Sequence, residues 1–172
     1  IPQSYIHCDA ALGGMTLPFI EGAPEFDFRQ EIDSLSISGH KLIGSPIPCG
    51  LVLANREHVR RIARSIEYVG TLDTTITGSR NALTPLFLWY AIHKWGHEGF
   101  TRRVGRSIEN AKYAVEQFQA AGVDAWRNPF AITVVFPRPT DDVLKKWSIA
   151  VQDEIGHLLV MPLSLIHISE PT

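Results

Sequence analysis

Ser34-Leu35-Ser36-Ile37-Ser38-Gly39-His40-Lys41 reads as a short strand that runs out on a glycine, an imidazole and an amine. The stretches on either side have the same character. Upstream, the mostly apolar Ser4-Tyr5-Ile6-His7-Cys8 ends at Asp9, with small residues and the pair Gly13-Gly14 behind it, as expected of a buried strand entering a loop. Downstream, the turn-rich Gly44-Ser45-Pro46-Ile47-Pro48 leads into a third strand, Cys49-Gly50-Leu51-Val52-Leu53-Ala54. Polar side chains therefore gather at strand ends.

Further along, residues 57–67 are basic and amphipathic, and residues 70–80 read as a polar loop. Thr84 before Pro85 has the character of an N-cap with proline at the first helical position, opening a helix through Trp89 and Ile92, unless the helix starts earlier and bends there. Val104, Ile108, Ala111, Val115 and Phe118 recur at steps of four and three, the stripe of a helix packed on one face, and Gly122 ends it. A β-branched run, Ile132-Thr133-Val134-Val135-Phe136, precedes a helix predicted over residues 141–153 and a last strand over residues 157–161. This order predicts strands with a large helical connection over residues 1–100, then a smaller α/β unit over residues 101–162.

Composition narrows the chemistry. The chain has 172 residues, 45% of them hydrophobic and 20% charged, as in an ordinary globular domain. Sixteen basic residues against 18 acidic ones give a net charge of −2, which offers no footprint for nucleic acid or an anionic membrane and favours a small-molecule substrate. Cys8 and Cys49 lie far apart and outside any metal-ligand spacing, which fits a reduced, cytoplasmic setting. The longest apolar stretch, residues 85–92, is well short of the roughly 20 residues that span a bilayer, and no charged leader precedes an apolar segment. Both ends read as cut: Ile1 opens on a strand already under way, and residues 163–172, LSLIHISEPT, resemble translated read-through of a sequencing adapter.

A lysine in a loop is usually a solvated charge, and an aspartate after a strand is usually a turn former. Together they have a more specific use. The Ser38 hydroxyl, the Gly39 N–H and the His40 imidazole could hold an anionic phosphate while the Lys41 amine reaches a carbonyl carbon beyond it, with glycine letting the backbone come close. Asp9, expected to be buried, would keep a pyridine nitrogen protonated, and Ala10-Ala11 would leave room for a flat ring.

His7-Cys8-Asp9-Ala10-Ala11 and Ser38-Gly39-His40-Lys41 resemble the cofactor motifs of the group II pyridoxal-phosphate decarboxylases. With residues 44–50 and Thr77-Gly78-Ser79-Arg80-Asn81 added, the chain is most similar to the bacterial histidine decarboxylases and plant serine decarboxylases. The resemblance implies a fold-type-I, aspartate aminotransferase-like α/β architecture, with the later part of the large domain and much of the small C-terminal domain present here. It implies that Lys41 carries pyridoxal phosphate as a Schiff base, that Asp9 pairs with the pyridinium nitrogen, and that Ala11 packs on the ring. Ser38 and His40 would bind the phosphate, and Ser79 would reach the phosphate of a neighbouring subunit in a homodimer whose active site lies at the interface. The family's glycine-rich phosphate loop and ring-stacking histidine are not among these residues, so the 172-residue chain by itself is not expected to decarboxylate. The reaction implied is loss of carbon dioxide from an amino acid, histidine first and serine second. A non-catalytic remnant of the same fold is the rival reading from another class, and an aminotransferase or desulfurase fits the Thr77-to-Asn81 motif less well.

Other residues take plainer readings. Cys8 reads as a small buried hydrophobe, and His93, His97 and His157 lack partners at metal-ligand spacing. Trp89, Tyr90 and Trp95 read as packing on one helix, while Tyr68, before the polar loop, is kept as a candidate proton donor.

Overall fold

Three strands make the first sheet: β1 (His7–Asp9), β2 (Ser34–Ser38) and β3 (Gly50–Ala54), in that spatial order. β1 and β2 run parallel, with Cys8 opposite Leu35 and Asp9 opposite Ser36, and β3 returns antiparallel, with Gly50 opposite Ser38. The computed structural model describes residues 4–66, 71–73 and 80–162. Ser79, Tyr68 and residues 163–172 lie outside the described residues. β1 is an edge strand of this sheet, so it is mostly exposed and not the buried strand expected from its composition, with Cys8 only half-buried. The parallel pair needs a crossover, which runs through two short 3₁₀ turns, Gly13–Met15 and Leu17–Phe19. Gly14 packs under β2, where an added Cβ would fall 2.6 Å from Ile37 Cγ1.

At the far end of the sheet Asp33 joins several segments. Its carboxylate accepts the Ile6 N–H at 2.8 Å, lies 2.8 Å from His58 Nε2, and its backbone carbonyl accepts the Asn55 N–H at 3.1 Å. Its pKa is lowered, chiefly by the Ile6 amide and then by His58. His58 belongs to α1 (Arg56–Ile62), and Tyr5 meets its ring edge-on at 5.0 Å.

After α1 come two short antiparallel strands, β4 (Arg64–Ile66) and β5 (Thr71–Asp73), where the composition suggested the end of a basic, amphipathic stretch and a polar loop. Helix α2 (Leu83–Ala120) begins before Thr84: Asn81 Oδ1 accepts both the Thr84 N–H at 2.9 Å and its hydroxyl at 2.7 Å, so Asn81 caps the helix and Pro85 falls inside it. Helical geometry breaks at Gly96, with φ 55° and ψ −172°.

Up to the break, α2 is apolar on nearly every side. Thr84 and Leu88 are buried, while Leu83, Leu86, Trp89, Tyr90 and Ile92 are between 45% and 58% exposed. Trp89 and Tyr90 are thus exposed, contrary to the packing role expected of them; only Trp95 of the three is half-buried.

The chain divides into two units, Ile1–Pro18 with Pro24–Trp95, and Phe19–Ala23 with Gly96–Thr172. The second unit holds the rest of α2 and an antiparallel sheet of β6 (Thr133–Pro137), β8 (Ile155–Leu159) and β7 (Ala150–Gln152), in that spatial order. Its core is Ala111, Ala125, Val134 and Phe136, with Phe118 stacked on Phe136 at 4.8 Å. Val104 and Ala111 of the predicted stripe are fully buried, together with Ser107 between them. Helix α3 (Asp141–Trp147) ends sooner than expected, because Ser148 turns left-handed at φ 48°. The freed residues form β7, which Asp153, at φ 49°, turns into β8. No helix among the described residues is long and apolar enough to cross a membrane.

Candidate functional site

Parallel pairing puts the C-terminal ends of β1 and β2 on one edge of the first sheet, and the antiparallel return starts β3 there too. Asp9, Ser38-Gly39-His40-Lys41 and Cys49 therefore share that edge although they are distant in sequence. The ladder continues past the strands: Ala10 N–H donates to Ser36 O and Ser38 N–H to Ala11 O, each at 3.0 Å. Beside this ladder Asp9 receives the Ala11 N–H on Oδ1 at 3.1 Å. Asp9, the last residue of an edge strand, is exposed in this chain, against the expectation of burial.

The segment after β2 closes on itself. Gly39 donates its N–H to Cys49 O and accepts the Ser45 N–H, both at 3.0 Å, while Gly44 takes the turn at φ 81°. Gly39 is buried, and an added Cβ would meet Cys49 Sγ at 2.5 Å and Leu88 Cδ2 at 2.7 Å, so glycine is required here for packing. His40 Nδ1 sits 3.1 Å from the Cys49 backbone N and 3.0 Å from its O. Leu42 and Ile43, at 1% and 5% exposed, anchor the chain directly after Lys41. Among the described residues, neither the Lys41 amine nor the Ser38 hydroxyl has a hydrogen-bond or ion-pair partner. The edge thus offers an amine, a hydroxyl and one carboxylate oxygen of Asp9 that the fold itself does not use.

Of the expected site residues, Asp9, Ala11, Ser38, His40 and Lys41 come to this one edge, with Ala11 half-buried in its ladder. His93 instead packs edge-on against Trp89 at 4.5 Å, and His97 lies 5.4 Å from Phe19. No group of three metal-ligating side chains exists among the described residues. Sequence reasoning missed the Asp33–His58 pair and the part played by Cys49. Neither has a motif, since each is created by strand pairing.

Solved structures share this fold. L-methionine decarboxylase from Streptomyces sp. 590 matches with a TM-score of 0.81 at 28% identity, over 92% of this chain and 39% of that one. The architecture is that of the fold-type-I pyridoxal-phosphate enzymes. Residues 3–131 match the pyridoxal-dependent decarboxylase conserved domain, and the chain belongs to that family, whose cofactor is pyridoxal phosphate. It is 51% identical over 155 residues to a histidine decarboxylase of Morganella morganii, and 47% identical over 158 residues to one of Pseudomonas entomophila. These alignments take in 90% and 92% of this chain but only 41% and 39% of the relatives, so the chain spans about two fifths of their length.

The donor set at the edge fits the cofactor. A carboxylate suits a pyridinium nitrogen, an amine suits the aldehyde, and a hydroxyl and an imidazole suit a phosphate. The alanines next to Asp9 bring no bulk that would exclude a flat ring.

Proposed function

We propose that the enzyme built from this chain removes the carboxylate of L-histidine, giving histamine and carbon dioxide, with Lys41 as the residue that binds pyridoxal phosphate covalently. What supports the chemistry is the strand pairing that brings Asp9 to the same end of the sheet as Ser38, His40 and Lys41. What supports the substrate is the identity of about half with histidine decarboxylases. Bound there, the cofactor supplies a sink for the electron pair released as the carboxylate departs. Lys41 Nζ would hold the cofactor covalently between turnovers. The Asp9 carboxylate would favour a proton on the ring nitrogen, and Ala11 would leave room for the ring. Ser38 Oγ would donate to the phosphate and His40 would support it from the same loop. Ser79 contributes to the phosphate site of the neighbouring subunit in a homodimer, and the enzyme works in the cytoplasm.

The test is paired. Borohydride reduction of the complete holoenzyme followed by peptide mapping should place the pyridoxyl group on Lys41, and a different lysine would overturn the site. Carbon dioxide release from histidine and from serine, measured side by side, should favour histidine; a clear preference for serine would reassign the substrate and leave the site standing.

A further inference from the structure

We propose that Cys49 is a positioning residue for the cofactor loop, acting on Gly39 and His40 from the start of β3. The inference rests on the reading of Lys41 as the cofactor lysine and adds a residue to which the reaction assigns no role. Three observations carry it. The Cys49 carbonyl accepts the Gly39 N–H at 3.0 Å. The same residue's N and O stand 3.1 and 3.0 Å from His40 Nδ1, so one peptide segment holds that side of the ring and leaves Nε2 as the nitrogen available to a ligand. Finally, Cys49 Sγ occupies the space over Gly39, where an added Cβ would lie 2.5 Å from the sulfur.

Lys41 is thereby held on both sides. Gly39 and His40 are pinned to Cys49 before it, and Leu42 and Ile43 are buried after it. A branched side chain at position 49 adds an atom next to the sulfur's place over Gly39, and crowding there would pass through His40 to the lysine. A serine nearly matches the cysteine in size and leaves the backbone contacts in place.

The test uses the complete holoenzyme and the variants C49S, C49V, and, in an L88A background that removes the other side chain crowding position 39, G39A with and without C49A. Readouts are the dissociation constant for pyridoxal phosphate, the pH profile of the lysine-bound cofactor's absorbance, and far-ultraviolet circular dichroism. C49S should behave as the parent. C49V should bind at least about tenfold more weakly with a displaced pH profile and unchanged circular dichroism. G39A should weaken binding similarly, and adding C49A should recover part of the loss. A folded C49V with parental affinity and pH profile would overturn the proposal, as would a G39A defect in the L88A background that C49A leaves untouched. If C49V does not fold, the G39A pair decides. A parent enzyme that carries no cofactor on Lys41 would instead overturn the reading of the site.

Discussion

Asp9 and Asp33 lie near opposite ends of the first sheet and do different work. Asp9 spends one oxygen on the Ala11 amide, which fixes its direction and leaves the other oxygen for a ligand. In the complete enzyme, Asp9→Asn should lower kcat at least about a hundredfold while leaving the circular dichroism unchanged, since an amide cannot stabilise a protonated ring nitrogen as a carboxylate does. Near-parental turnover would make Asp9 a turn residue only. Asp33 is structural. Its folded pKa lies below the ordinary carboxylate value, so its contribution to stability is present above that value and is lost as pH falls through the lowered one. Acidification through and below the carboxylate range should therefore release the Ile6 amide, seen as faster hydrogen exchange there once intrinsic pH effects are removed. Asp33→Asn should abolish that pH dependence.

At the scale of elements, the start of α2 rests on one side chain, Asn81, which accepts two hydrogen bonds from Thr84. Asn81→Ala should cost about 1 kcal/mol in chemical denaturation, whereas Thr84→Ser, which keeps both donors, should cost less. The strands that build the site were legible in the sequence because each is a short alternating or apolar segment bounded by turn-forming residues: Asp9 at the end of β1, Gly39 after β2, and Pro48 before β3. The helix boundaries were less so. Thr84-Pro85 imitates a helix start, and only the Asn81 contact shows that the cap lies three residues earlier. In the same way the pattern after Asp141 continues in helical style past Trp147, and the left-handed Ser148 that stops it is a non-glycine residue whose conformation composition does not announce. The motifs were enough to put Asp9 and Lys41 at strand ends. Asp33 with His58, and Cys49 with Gly39, depend on strand register, which a linear pattern does not carry.

For the molecule as a whole, the chain spans about two fifths of the length of its relatives, and it carries the lysine end of the proposed site. The first part of α2 has the character of a helix buried all round, yet here Leu83, Leu86, Trp89, Tyr90 and Ile92 face outward. Lys94 is the single charge within residues 83–95, and its ammonium lies over the rings of Tyr90 and Trp95 at 5.5 and 5.2 Å. Such a surface governs how the isolated chain behaves in solution. Light scattering on the 172-residue chain should show growth of large particles with concentration. Leu86→Glu together with Trp89→Glu should suppress that growth without loss of helical signal, because neither side chain is needed inside its own unit. In a cell the same stretch is the kind of sequence that holdase chaperones grip, so the yield of this chain should be set by chaperone supply before it is set by the stability of either unit.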